Sequence, residues 1–562
     1  MSAYIVISFL VAFSCLYKLL RLLSYIRTAK STGLPYTLTF IHELESWAYL
    51  TDPVLRWALR SRIMRGRGWP AWARFMVKDW HYEDKRAAHD QFGAVFLVVS
   101  PGGMVCYAGE SATAAQILTR RKAFIKPPEK MKMLEPFGPN VVSLNGARWR
   151  FHLGITLPPF TADNVLGLIW DETLRQVDIM AASWSHSGAK ASLKHNVYSL
   201  TMNTMSLVGF GKRSEGAEVS GAVPRGHTLS LVESIQSVVL HLPHIMLLPH
   251  WALKQVASKA HQGYSELEMY MTELIKQEKT RLDSGVAENK SNRATLLTAV
   301  LDANTQKVGR DMLTDTEIKG NIFMFLLAGY DTTANTILFC TITLALYPSI
   351  QAQVINEVDL VWKKAEMAGR TELSLAHDMP RFRYLIAFMY EVMRVFPIVL
   401  PIARLTAGPQ SLHIGTNNHR LPTETHVVVN NTAIHHDPAN WLSPSIIEPR
   451  RWLVSDPHSF DPTKLRSPQE MKEINEGTMP IPSHRRGTFM SFGEGPRACL
   501  GRNFAKTEFV AFYSRLLRKY RLQLGHGADP KHVEDMIRLR SGGSPVTLTP
   551  PEDVRIDLRE RG

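Results

Sequence analysis

Residues 3–17 form an uncharged apolar run that ends at the first cation, Lys18. Apolar residues continue through Leu19, Leu20, Leu22, Leu23, Tyr25 and Ile26. A bilayer core takes about 20 such residues in a helix, and Lys18 and Arg21 stand where long cationic side chains snorkel to headgroups. The pattern predicts one span over residues 3–25. Lys18, Arg21, Arg27 and Lys30 all come after the run, and the first acid is Glu43. That order argues against a cleaved signal peptide and places the rest of the chain on the cytosolic side. Residues 31–80, with Pro35, Pro53 and Pro70 among many aromatics, read as a linker followed by irregular helices lying against the bilayer. Residues 94–109 are β-branched around Pro101-Gly102-Gly103, which predicts strand, tight turn and strand. Residues 160–300 carry a helical pattern with loops near 216–224 and 284–293. Thr314 and Glu317 form a capping box that opens a long apolar helix. Strand-like, proline-rich sequence fills 397–490, and a helix covers 503–520. The pattern is mainly α with a minor β region.

Composition narrows this further. The 562 residues suggest about four domains at about 150 residues each. With 45% hydrophobic and 21% charged residues the chain is neither disordered, collagen-like nor a multi-pass membrane protein. The net charge of +14 admits nucleic acid, anionic membrane or an acidic partner. Four scattered cysteines (Cys15, Cys106, Cys340 and Cys499) make no CxxC pair, which excludes a disulfide scaffold or a four-cysteine zinc ribbon and favours a reducing compartment.

The chemistry concentrates in Phe492-Gly493-Glu494-Gly495-Pro496-Arg497-Ala498-Cys499-Leu500-Gly501, just before a helix. The glycines permit positive φ and close approach to a flat ring. Free N–H groups at the helix start favour a thiolate at Cys499, and Arg497 is suited to a charged hydrogen bond with a carboxylate. A buried structural cysteine would leave the glycines, Phe492 and Arg497 unexplained. The segment matches F-G-x-G-x-R-x-C-x-G at every specified position and closely resembles the cytochrome P-450 family of heme-thiolate monooxygenases.

The resemblance extends along the chain. Ala328-Gly329-Tyr330-Asp331-Thr332-Thr333 matches the family's oxygen-binding motif. Ala328 and Gly329 leave the backbone open to a ligand, and the Thr332 hydroxyl can bond the Ala328 carbonyl and loosen the helix. Asp331 and Thr332 are then the implied catalytic proton relay. Glu391 and Arg394 share a helix face. With Arg451 in Pro449-Arg450-Arg451-Trp452 they match the family's structural Glu-Arg-Arg network. Arg450, where an acid is usual, reads as surface variation. Arg404 aligns with a second propionate-binding arginine. Trp149 and His152 match the family's heme-edge helix, but Leu153 stands where an arginine is usual, leaving that edge to Trp149 and His152 alone or with help from Arg150. The adjacent His435-His436 point to opposite faces of an extended segment and do not chelate one ion. His241, His244 and His250, and methionines such as Met324, read as core or surface residues.

The resemblance implies the large helix-rich P-450 fold with a small β region: an anchor at 1–30, a linker and membrane-proximal segment at 31–80, and a catalytic domain at 81–562. It implies heme b bound through Cys499, with Phe492, Gly493, Arg497, Gly501, Arg404, Trp149, His152, Ala328 and Gly329 around it and dioxygen as co-substrate. One oxygen atom would enter a small hydrophobic molecule, as in fungal secondary metabolism. No nicotinamide or flavin motif is present. Electrons would come from an NADPH-cytochrome P-450 reductase, with cytochrome b5 as a second donor, docking on Arg485, Arg486, Lys506 and Arg518. The expected place is the endoplasmic reticulum membrane, facing the cytosol, with lipid rather than nucleic acid as partner. The alternatives are a heme isomerase, dehydratase or peroxygenase on the same fold, or a non-catalytic heme-binding membrane protein. The cavity is expected from 131–139, 220–250, 325–333, 399–402 and 541–546.

Overall fold

A computed structural model describes residues 2–187, 193–213, 223–283, 295–305, 312–454, 460, 484, 486–539, 542–543 and 547–561. Helix α1 (Ser2–Ser31) is one continuous helix. Within Ile5–Ser31 its most apolar 18-residue window has mean hydropathy 1.9 and is not covered by the rest of the chain, which makes it a candidate single transmembrane helix. Its last turns leave solvent: Leu22, Tyr25, Ile26 and Ala29 pack on the sheet below.

That sheet has six strands: β1 (Tyr36–Leu38), β2 (Val95–Ser100), β3 (Gly103–Ala108), β4 (Phe124–Ile125), β5 (Ile402–Thr406) and, beyond the hairpin β6 (Gln410–Ile414) and β7 (Asn417–Leu421), β8 (His426–Val429). The order is β1-β2-β3-β8-β5-β4. The expected hairpin is β2 with β3, Val95 opposite Ala108 and Ser100 opposite Gly103. Its residues alternate between two apolar layers. Val95, Leu97, Val99, Cys106 and Ala108 face the end of α1, while Phe96, Val98, Val105 and Tyr107 face Trp69, Phe75 and Trp80. Both faces are covered, so the strands are apolar throughout instead of alternating with polar residues.

Of the linker and irregular helices expected over 31–80, the helices are present, as at Ala48–Met64 and Arg74–Met76, but the stretch before them is not a free linker. Tyr36–Leu38 pairs in parallel with Leu97–Val99, and buried Glu43 contacts His81 and accepts from the Tyr107 hydroxyl at 2.8 Å. The segment is part of the body, and its prolines and aromatics shape a layer of the core. Helix α2 (Ala48–Met64) leaves Trp47, Leu50, Val54 and Trp57 exposed.

The long helix Asp315–Leu346 crosses the body and starts at the expected capping box, Thr314 with Glu317. It is long and apolar enough to span a membrane, yet 83% of its apolar window is buried, because a helix apolar all round belongs inside a large core. Residues up to Tyr330 lie in one hydrophobic cluster and residues from Ala334 in another. The polar notch 331–333 falls at the seam. The described parts of 160–300 are helical, including Asp163–Ser187, Leu193–Phe210 and Ser258–Asp283. The expected loop 284–293 and most of 216–224 lie outside the described residues. The helix after the cysteine runs Arg502–Lys519.

Candidate functional site

The cysteine loop is wound by its glycines. Gly493 and Gly495 have φ of 65° and 69°, and a Cβ on Gly495 would stand 2.9 Å from the Leu118 carbonyl oxygen. Gly501 has an ordinary φ of −81° and caps the helix Arg502–Lys519; a Cβ there would meet Cys499 Sγ only in ordinary contact, at 3.9 Å. The Cys499 amide donates to Phe492 O at 2.7 Å, and the Gly493 amide to Met490 O at 2.8 Å. These bonds aim the thiol into a cavity of about 340 Å³, the size of a small-molecule or cofactor cleft. Burial pushes the Cys499 thiol up, opposed by the Gly501 N–H and by Arg502. The helix start alone does not make the thiolate expected from sequence, because the surrounding protein costs the anion its hydration.

The notch of the long helix forms the opposite wall. Ala328, Gly329, Thr332 and Thr333 line the same cavity as Cys499. The Thr332 hydroxyl donates to Ala328 O at 2.6 Å, as its position predicts. A Cβ on Gly329 would stand 2.7 Å from Met205 Sδ, so this glycine also lets a neighbouring helix approach. Asp331 does not line the cavity. Its carboxylate accepts from the Tyr198 hydroxyl at 3.0 Å and from the Thr547 hydroxyl at 2.6 Å.

One edge of the cavity is cationic. Lys126, Arg404 and Arg497 all line it. Their hydrogen bonds go to neutral oxygens: Lys126 Nζ to Val142 O at 2.8 Å, Arg404 to Ala403 O at 2.8 Å, and Arg497 to Leu144 O at 2.6 Å and Asn145 Oδ1 at 3.2 Å. Burial, then mutual repulsion, pushes Lys126 down to about 7 and Arg497 to about 9, while burial pushes Arg404 to about 10. Trp149 lies between two guanidinium groups, Arg497 at 3.9 Å and Arg121 at 5.0 Å from its ring centre.

His152 does not reach the cavity. Its ring nitrogens face Glu317 at 3.1 Å and Asn321 at 3.0 Å, so this sequence assignment is corrected: the residue fastens its helix, Gly146–Thr156, to the long helix. Leu153 lines the cavity as an apolar residue, and Arg150 is exposed. Sequence reasoning missed Lys126, a lone cation between the apolar end of β4 and Pro127-Pro128. Five methionines (205, 324, 389, 393 and 490) line the cavity, so Met324 is a wall residue as well as core. Nothing from 131–139 or from the described part of 220–250 lines it; residues 541 and 544–546 lie outside the described residues.

Beneath the loop, Glu391, Arg394 and Arg451 are fully buried and mutually paired. Burial would raise the Glu391 carboxyl, but the two guanidinium groups outweigh it and hold it at about 2. His435 links this network to the cysteine loop, with Nδ1 on Arg394 O at 3.1 Å and Nε2 accepting from the Met490 amide at 2.8 Å. Arg450, read from sequence as surface variation, is buried and pairs with Glu448 at 2.8 Å.

The cytochrome P-450 family matches residues 72–546. Cytochrome P-450 monooxygenase ORF6 of Penicillium roqueforti and monooxygenase prx9 of Penicillium rubens are each 36% identical, over 97% of this chain and 96% of theirs. A cytochrome P-450 monooxygenase of the phomenoic acid biosynthesis cluster of Leptosphaeria maculans is 24% identical over 76% of this chain and 75% of its own. The crystal structure of the cytochrome P-450DA heme domain superposes with TM-score 0.66 at 18% identity, covering 94% of this chain and 98% of that one. A loop that aims a cysteine at a helix notch, a family match across most of the chain and a shared fold agree: the chain belongs to the cytochrome P-450 family of heme-iron monooxygenases.

Proposed function

We propose that this chain is a single-pass microsomal monooxygenase that holds heme b through Cys499 and inserts one atom of dioxygen into a small hydrophobic molecule of fungal secondary metabolism. Three cavity-lining cations with no acidic partner among the described residues carry this reading. Buried charges need a counter-charge, and a group bearing two carboxylates, presenting iron to a thiolate a cavity-width away, supplies it. Lys126, Arg404, Arg497 and Trp149 would hold that edge, and Phe492, Gly493 and Gly501 would meet its face. The bound heme supplies dioxygen activation. Thr332 holds the helix open at Ala328 and presents a hydroxyl to the cavity. The apolar and methionine-rich walls exclude water and adapt to an apolar guest. The cluster-named relative supports a secondary metabolite as that guest.

The anchor 1–30 would place the body 31–562 on the cytosolic face of the endoplasmic reticulum, with α2 resting on lipid. A reductase would deliver electrons on the cysteine side, where Lys506 and Arg518 stand on the helix Arg502–Lys519. Arg486 and Arg518 already pair with Glu494 and Glu366, and Arg485 lies outside the described residues.

Disrupting the gene should accumulate a precursor one oxygen atom lighter than the normal product. With reductase, NADPH and labelled dioxygen, the purified enzyme should convert that precursor and place one labelled atom in the product. Conversion without dioxygen would replace this reading with a heme isomerase or dehydratase.

A further inference from the structure

We propose that Tyr198 and Thr547 are positioning residues for Asp331, two hydroxyls from distant parts of the chain that clamp its carboxylate away from the cavity and so govern its access to Thr332. The proposal rests on the monooxygenase reading above.

Each carboxylate oxygen has a hydroxyl donor: Tyr198 on Oδ1 at 3.0 Å, with Asn335 Nδ2 beside it at 3.4 Å, and Thr547 on Oδ2 at 2.6 Å. Asn335, one turn along, closes a ring by donating to Thr547 Oγ1 at 3.0 Å and to the Asp331 backbone carbonyl at 3.1 Å. Asp331, Asn335 and Thr547 are buried. The Thr332 hydroxyl is spent on Ala328 O, so no described hydrogen bond joins Asp331 to Thr332. A carboxylate held this way passes a proton to the cavity only by giving up one of the two hydroxyls. Losing a hydrogen bond to a buried charged group costs about 1.5–3 kcal/mol, enough to set how often the acid turns inward.

The two hydroxyls have different attachments. Tyr198 stands on the helix Leu193–Phe210 with its ring edge-on to Tyr330 at 5.5 Å, and the Lys194 ammonium lies 5.8 Å from its ring centre. Lys194 also pairs with the exposed Glu552. Thr547 precedes Leu548, whose amide donates to Ile398 O at 2.7 Å, and Ile398 lines the cavity. The clamp therefore joins the acid to a solvent-facing ion pair on one side and to the cavity wall on the other.

The test uses full-length holoenzyme with reductase and NADPH and no added substrate. Dioxygen then leaves as peroxide, taking two electrons and a proton from NADPH and one proton from solvent, or as water with two more electrons and two more protons. NADPH oxidation, the peroxide fraction and the solvent deuterium effect are measured for Tyr198→Phe, Thr547→Val and Thr547→Ser. Tyr198→Phe and Thr547→Val should each change the NADPH oxidation rate by roughly tenfold, which is what the low end of that hydrogen-bond cost corresponds to, and shift the peroxide fraction and the solvent deuterium effect. Thr547→Ser should restore the parent values, and Thr547→Val should add nothing in an Asp331→Asn background. Parent-like rates, peroxide fractions and isotope effects in both Tyr198→Phe and Thr547→Val would overturn the proposal while leaving the monooxygenase reading intact. A parent enzyme that reduces no dioxygen would overturn that reading, and the proposal with it.

Discussion

Glu391→Gln should sharply lower the stability and recovery of folded, heme-loaded protein rather than merely slow turnover. The Glu391 carboxylate accepts five hydrogen bonds: three on Oε1, from Arg394, Arg451 and the Glu448 amide, and two on Oε2, from Arg394 and Trp452. A glutamine of the same shape turns an NH2 group toward those donors and leaves two guanidinium groups buried without an anion. Breaking a buried pair from one side costs about 3–5 kcal/mol, a large share of the 5–15 kcal/mol typical of a folded domain. Thermal unfolding should show a much lower midpoint, and an unchanged midpoint would remove the network from the fold's support. The same pairing sets an acid limit. Glu391 sits at about 2 against an ordinary 4.5, so its contribution is complete above 4.5 and is lost as pH falls toward 2.

Arg497→Leu should release heme. The arginine lines the cavity beside Lys126 and Arg404, stacks on Trp149 and has neutral hydrogen-bond partners. An anionic carboxylate there gives it the charge partner it lacks, and truncating one partner of such a buried pair costs about 2–5 kcal/mol. Transfer of heme from holoenzyme to an excess of acceptor protein should speed up by at least about thirtyfold, the low end of that range. Lys126 adds a pH dependence of known sign. Held near 7 by burial and by its two cationic neighbours, it must take up a proton to serve the carboxylate, so heme retention should weaken as pH rises from 7 toward 9. Lys126→Met should lose that slope. Equal heme loss in parent and Arg497→Leu would show that the cationic edge serves something else.

The site's local parts were legible in the sequence. The cysteine loop, the capping box at Thr314, the β2–β3 hairpin and the Ala328–Thr332 hydrogen bond each depend on residues within a few positions of one another. What escaped depends on distance along the chain. Tyr198 and Thr547 meet Asp331 across 133 and 216 residues, and no periodicity announces such a meeting. Lys126 looked like any surface lysine, because its burial comes from packing against segments elsewhere in the sequence. The start of 31–80 reads as a linker since proline and aromatic content marks irregular backbone, whether it hangs free or, as at Tyr36–Leu38, adds a strand to a sheet. Arg450 passed for a surface residue because its partner Glu448, two positions away, gave no sign that both would be covered. His152 was matched by position to a cofactor contact, while its ring is taken by Glu317 and Asn321 on the long helix.

The carbon-monoxide spectrum of the reduced holoenzyme tests most directly whether Cys499 holds heme iron as a thiolate. The parent, and a Cys106→Ser variant of the buried cysteine in β3, should show the red-shifted Soret band of a thiolate-ligated heme, and Cys499→Ala should lose it. A parent without that band, or a Cys499→Ala protein that keeps it, would contradict the assignment.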